Sequence, residues 1–157
     1  MIIESGADYL PQVKELILEY ASFLGRDLSF QNLDDELGDL ASKYLPPNGE
    51  ILVCVNDGEV LGMVAYYQHD EKTCEMKRLY IKPKARGLHL GDSLVSEILN
   101  HARDNGYDVM LLDTIRPLKA AINLYKKHGF EECEPYYDNP MDDVVYIYEP
   151  ALFCHWC

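Results

Sequence analysis

Between Cys74 and Asp113 the chain reads as a strand, a basic glycine-containing turn, a long amphipathic helix and a second strand, and this succession constrains the fold most. Leu90, Leu94, Ile98 and Ala102 recur every four residues, supported by Val95 and Leu99, and Gly106 supplies a helix stop. The flanking runs, Cys74 to Ile81 and Tyr107 to Asp113, are short and apolar as strands are. A strand–helix–strand crossover makes its two strands parallel and its connection right-handed. Within the first strand Met76, Leu79 and Ile81 do not share one parity, so alternation breaks between Met76 and Leu79. A β-bulge has that effect, and here it would splay the sheet.

The remaining elements fit around this unit. Met1 to Glu4 suits an edge strand. Leu10, Val13, Leu16, Ile17, Tyr20 and Leu24 predict a helix over 9–24, with Asp8 and Pro11 as start signals. A second helix is expected over 31–44, with Leu33, Leu37, Leu40, Ala41 and Tyr44 inward and Asp34, Asp35, Glu36 and Asp39 facing water. Ile51 to Val55 and Val60 to Gln68 are β-rich runs joined by Asn56-Asp57-Gly58-Glu59, a hairpin signal. Pro117 opens a further helix that carries Leu118, Ala121, Ile122 and Tyr125 and ends at Gly129. Strands at Phe130 to Glu134 and Val144 to Glu149 follow. The expected fold is a single α/β domain over 1–157, with a mixed, mostly antiparallel sheet splayed at two parallel strands and flanked by helices.

Composition narrows the function. The chain has 157 residues, 48 % of them apolar, which is enough for one core. No apolar run approaches the ~20 residues that cross a bilayer, and five cysteines, an odd number in a chain of this size, fit reduced thiols in the cytoplasm. A net charge of −13 argues against nucleic acid and favours a cationic partner. Against that background Lys77, Arg78, Lys82, Lys84 and Arg86 reverse the sign locally.

The reversal surrounds the turn Ile81-Lys82-Pro83-Lys84-Ala85-Arg86-Gly87-Leu88-His89-Leu90-Gly91-Asp92. Free N–H groups at a helix start, the positive end of its dipole and glycines that permit close approach form a pyrophosphate site. Read with Leu79-Tyr80-Ile81 before it and Leu124-Tyr125 with Gly129-Phe130 after it, the stretch resembles the GNAT superfamily of N-acetyltransferases over roughly residues 50–134. The resemblance implies acetyl transfer from acetyl-coenzyme A to a primary amine by direct attack in a ternary complex, without a metal. It also implies a homodimer through the late strands in many members. Leu79 to Ile81 and Arg86 to Asp92 would hold the coenzyme. His89 and Leu118 depart from the family's usual glycine and asparagine.

This chemistry makes three demands. An ammonium with a pKa of ~10 must lose a proton before it attacks, and Glu75 is the candidate base. The thioester oxygen needs a fixed donor, a backbone N–H at Leu79 or Ile81. The leaving thiolate needs a proton, and Tyr125 fits both the motif and the helix face. Glu75 also reads as a strand carboxylate paired with Lys77 or Arg78, and Tyr125 as a core residue. Glu134 to Asp143, rich in tyrosine and acid, suits either an acceptor wall for a cationic amine or a rigid surface turn. Two further readings stand beside the enzyme: a non-catalytic acyl-coenzyme A sensor or interaction module with this fold, and a metal or redox role for Cys154 and Cys157, whose single Cys-x-x-Cys offers too few ligands for zinc.

Overall fold

The computed structural model describes residues 1–25, 33–150 and 152. Among the described residues seven strands form one sheet, β1 (Ile2–Ser5), β2 (Gly49–Asn56), β3 (Glu59–Gln68), β4 (Thr73–Ile81), β5 (Val109–Ile115), β6 (Glu131–Glu132) and β7 (Val144–Glu149), in the order β1-β2-β3-β4-β5-β7-β6. Every pairing is antiparallel except β4 with β5, the pair that the crossover predicts.

Among the described residues the α-helices are α1 (Leu10–Leu24), α2 (Leu33–Gly38), α3 (Leu40–Tyr44), α4 (Leu90–Asp104) and α5 (Lys119–Lys127). Gly25, at φ 64°, closes α1 by donating its N–H to the carbonyls of Ala21 and Ser22. Where one helix was expected over 31–44 there are two, because Asp39 leaves helical geometry (φ −153°, ψ 75°) and its carboxylate caps the N–H of Ser42. Residues 31 and 32 of that expectation lie outside the described ones, as does the Cys154 to Cys157 tail.

Strand alternation sorts the sheet into two apolar layers. Leu52, Cys54, Val64, Tyr66, Cys74 and Met76 pack with α4 and Tyr125 on one face. Ile51, Val53, Val55, Met63 and Ala65 pack with Val13, Leu16 and Ile17 of α1 and with Leu40 and Tyr44 of α3 on the other. β5 starts two residues later than expected, and Tyr107 before it is buried against Tyr66. β6 is confined to two residues. Among the described residues no helix is long and apolar enough to cross a membrane.

Candidate active site

β4 and β5 are paired only at Thr73–Val109, Cys74–Met110 and Glu75–Leu111, after which β5 continues along β7 as far as Ile115. The parting has a local cause. Between Met63–Tyr80 and Ala65–Lys77 the register takes three steps on β4 for two on β3, and Arg78 in that interval sits at φ 61°. This is the bulge that the broken parity of Met76, Leu79 and Ile81 anticipates. The strands therefore fork, and a cleft of about 490 Å³ opens between them, within the range of small-molecule sites.

One end of the cleft is built from backbone. Lys82 donates its N–H to Leu61 O on the β3 side at 2.8 Å, so strand alternation aims the N–H groups of Ile81 and Leu79 at the opposite edge, which has lost its β5 partner. Arg86 and Gly91 line the cleft and bracket residues 87–90, where Gly87 (φ 86°) and His89 (φ 60°) turn the chain into α4. His89 thus holds the left-handed geometry for which a glycine is usual, at a cost of about 1–2 kcal/mol, and its N–H remains available beside the free N–H groups of the first turn. Leu88 is exposed, and Leu90 is buried in the core. Gly91 packs closely on α5, where a Cβ would stand 3.3 Å from the Leu124 side chain and would press it aside by a few tenths of an ångström.

The basic run does not act as a block. Lys82 and Lys84 pair with Glu59, Lys77 with Glu75 and Asp113, and Arg78 with Glu36. Among the described residues Arg86 alone of the five has no carboxylate partner: its guanidinium stacks on Phe23 at 5.0 Å, and its Nε donates to Ile81 O at 3.3 Å. Asp92 turns away from the cleft to His128 (2.6 Å) and Lys127 (3.2 Å), joining the start of α4 to the end of α5. Leu118, at the N-cap of α5, lines the cleft, as does Tyr125. Burial pushes the Tyr125 hydroxyl well above an ordinary tyrosine, with smaller contributions from Tyr20 and Asp113, so it stays protonated and able to donate.

The other end of the cleft is built from charged side chains. The registers Tyr67–Glu75, Glu75–Leu111 and Asp113–Tyr146 put Tyr67, Glu75, Lys77, Asp113 and Tyr146 on one face. Glu75 is 2 % exposed; its Oε1 accepts from the Tyr67 hydroxyl (3.0 Å) and lies 2.7 Å from His69 Nε2, while Lys77 Nζ is 3.0 Å from Oε2. Burial pushes the Glu75 carboxyl up, but His69, Lys77 and Tyr67 outweigh it and hold the group below the ordinary glutamate value. Lys77 Nζ also lies 3.5 Å from Asp113 Oδ1, and Asp113 Oδ2 accepts from the Tyr137 hydroxyl. Next to this cluster Arg78 forms two hydrogen bonds with Glu36, which is 4 % exposed and not in water as its place on an amphipathic helix suggests.

Leu79, Tyr80, Ile81, Arg86, Gly91 and Tyr125 thus line the cleft, while Glu75 lies one residue behind its wall. Sequence reasoning missed Asp113, which does line it, and His69, which holds Glu75; Lys77, expected in the basic run or as a partner of Glu75, and Asn139 and Met141, from the Glu134 to Asp143 segment offered as an acceptor wall or a surface turn, line it too. Asp113 carried a signal, as the one acid in an otherwise apolar strand; His69 carried none.

The sequence profile of the acetyltransferase (GNAT) family matches residues 10–130. Over 151 residues the chain is 47 % identical to an uncharacterised N-acetyltransferase of Schizosaccharomyces pombe, covering 92 % of this chain and 93 % of that one. A putative acyl-CoA N-acyltransferase from Klebsiella pneumoniae superposes with a TM-score of 0.76 at 27 % identity, over 96 % and 97 % of the two chains. An aminoglycoside 6'-N-acetyltransferase complexed with coenzyme A has the same fold, with a TM-score of 0.71 at 13 % identity over 97 % of each chain. An α/β fold forked at its parallel pair, with a helix N-terminus at the fork, is the frame of an acyltransferase, and the chain belongs to the GNAT family of acetyltransferases. Membership carries acetyl transfer, with acetyl-coenzyme A as co-substrate.

Proposed function

We propose that the protein moves the acetyl group of acetyl-coenzyme A to a primary amine of a small molecule or protein by direct attack in a ternary complex. The observation that carries the reading is the fork itself, with a backbone edge and Tyr125 at one end and a buried acidic cluster at the other. In that cluster Lys77 is shared between two carboxylates, Glu75 and Asp113, so one negative charge is in excess. A buried carboxylate without a full counter-charge favours a cation beside it, and the ammonium of an acceptor supplies one. Tyr136, Tyr137 and Tyr146 pack ring against ring over this end, as an acceptor wall for a cationic amine would.

In this reading the N–H of Ile81 or Leu79 polarises the thioester oxygen, and Arg86 with the first turn of α4 holds the coenzyme's phosphates. Tyr125 protonates the departing thiolate, and Glu75 serves the deprotonation of the amine. The test is calorimetric titration of acetyl-coenzyme A into wild type and Arg86→Glu, with thiol release measured across a panel of amines. Wild-type binding weakened at least about tenfold by the charge reversal, with thiol released by some amine, supports the reading. Binding without release from any amine overturns it in favour of a sensor.

A further inference from the structure

We infer that His69, rather than Glu75 itself, takes the acceptor's proton, with Glu75 acting as the positioning residue that fixes the imidazole; this rests on the amine acetylation proposed above. Oε1 of Glu75 is engaged by the Tyr67 hydroxyl and His69 Nε2, and the buried Oε2, which has no hydrogen bond among the described residues, lies 3.0 Å from the Lys77 ammonium. A buried carboxylate held by two hydrogen bonds and a lysine charge has little basicity left for an ammonium. Its side chain is 3 % exposed, whereas that of His69 is 31 % exposed. The reachable end of the pair is the imidazole.

The tautomer follows from the partner. An ionised carboxylate only accepts, so the ring proton belongs on Nε2, 2.7 Å from Glu75 Oε1, and Nδ1 carries the lone pair. The ring is held in place: the His69 backbone N–H donates to Thr73 O at 2.9 Å, and the ring packs on Tyr67 (5.2 Å between centroids) and edge-on to Tyr136 (6.2 Å). Tyr136 belongs to the loop that donates from Tyr137 to Asp113 and places Asn139 in the cleft wall, so one loop reaches from the cleft to His69. The titratable and charged groups around the ring are Glu75 and, behind it, Lys77 from β4, Tyr67 from β3, Asp70 from the turn and Tyr136 from the loop.

The protons balance as follows. An acceptor N–H bond breaks and an Nδ1–H bond forms, giving an imidazolium paired with Glu75, which returns its proton to water at its exposed edge. The freed amine attacks the thioester carbon; the C–N bond forms, the C–S bond breaks, and the second departing proton ends on the thiol sulfur.

The test is kcat/KM against pH, by thiol release with the best amine of the panel, for wild type, His69→Gln and Glu75→Gln. His69→Gln keeps a donor for Glu75 but has no titrating nitrogen. We expect it to lose the acidic limb of the profile and roughly 10²-fold in kcat, while calorimetry shows acetyl-coenzyme A bound as in wild type. Glu75→Gln should lose rate as well, and added imidazole should partly restore His69→Ala. A His69→Gln profile with the wild-type limb and a rate within about threefold of wild type overturns the inference, and Glu75 is then the direct base. Wild type that binds the coenzyme but turns over no amine removes the proposed function and this inference together, a result distinct from the loss of the limb in one variant.

Discussion

The two ends of the cleft are made of different material. At the α4 end the cleft is lined by the unpaired edge of β4, Arg86 and Gly91, with the left-handed turn at Gly87 and His89 between the last two, so the chain's path forms much of the site. At the other end Glu75, Lys77, Asp113, Tyr67, His69 and Tyr137 come from three strands, a turn and a loop, and only their packing brings them together. In the proposed reading the coenzyme is met largely by backbone and the acceptor by replaceable side chains, which would store specificity at the acidic end.

The largest effect should come from opening the buried ion pair beside the acidic end. Glu36→Ala leaves Arg78 without its bidentate partner and is expected to cost about 3–5 kcal/mol, read from urea denaturation. A loss below about 1 kcal/mol would mean that this end is as solvated as a surface. Next is Tyr125→Phe, expected to lower kcat roughly 10²-fold, or about 2.7 kcal/mol, with coenzyme affinity unchanged, by single-turnover thiol release and calorimetry. Acid should also separate the two ends. Burial raises the Glu36 carboxyl, but Arg78 and Lys43 hold it below the ordinary value of 4.5, and Glu75 is likewise held low. Both therefore contribute stability above pH 4.5 that is lost as pH falls through their folded values, so the melting temperature should drop there, and less steeply in Glu36→Gln. Smallest is His89→Gly, where relief of the left-handed strain, offset by a freer unfolded chain, should stabilise by at most about 1 kcal/mol. Coenzyme affinity should not change in that variant; a tenfold change would show that the imidazole, and not the backbone, serves the turn.

The same division explains what the sequence revealed. The α4 end depends on residues within one short stretch, so Arg86, Gly91 and the strand before them announce it, and even the bulge shows in the parity of Met76, Leu79 and Ile81. Glu36 was misread because an acid on an amphipathic helix is normally solvated, and the arginine that buries it lies 42 residues away. Arg78 read as part of a phosphate-binding run although it turns at the bulge to a distant acid, Glu36, whereas Lys77 keeps the pairing with Glu75 that the sequence offered as an alternative. The break of the second helix at Asp39 was available from its capping chemistry, since Ser42 follows at the right spacing. Asp113 stood out only as the one acid of its strand, and His69 reaches Glu75 across the β3–β4 turn, a meeting that no local pattern announces.

The extra residue at Arg78 also fixes which changes of length the chain tolerates. Removing one residue there would leave two steps on each strand between Ala65–Lys77 and Met63–Tyr80, so Leu79 to Ile81 would keep their faces, but the bend that parts β4 from β5 would be lost. A deletion of three nucleotides in the gene would thus close the fork while leaving nearly every side chain in the sequence. The Asn56 to Glu59 hairpin, remote from the fork, is under no such constraint, so natural variation in loop length should collect there and be absent between Lys77 and Tyr80.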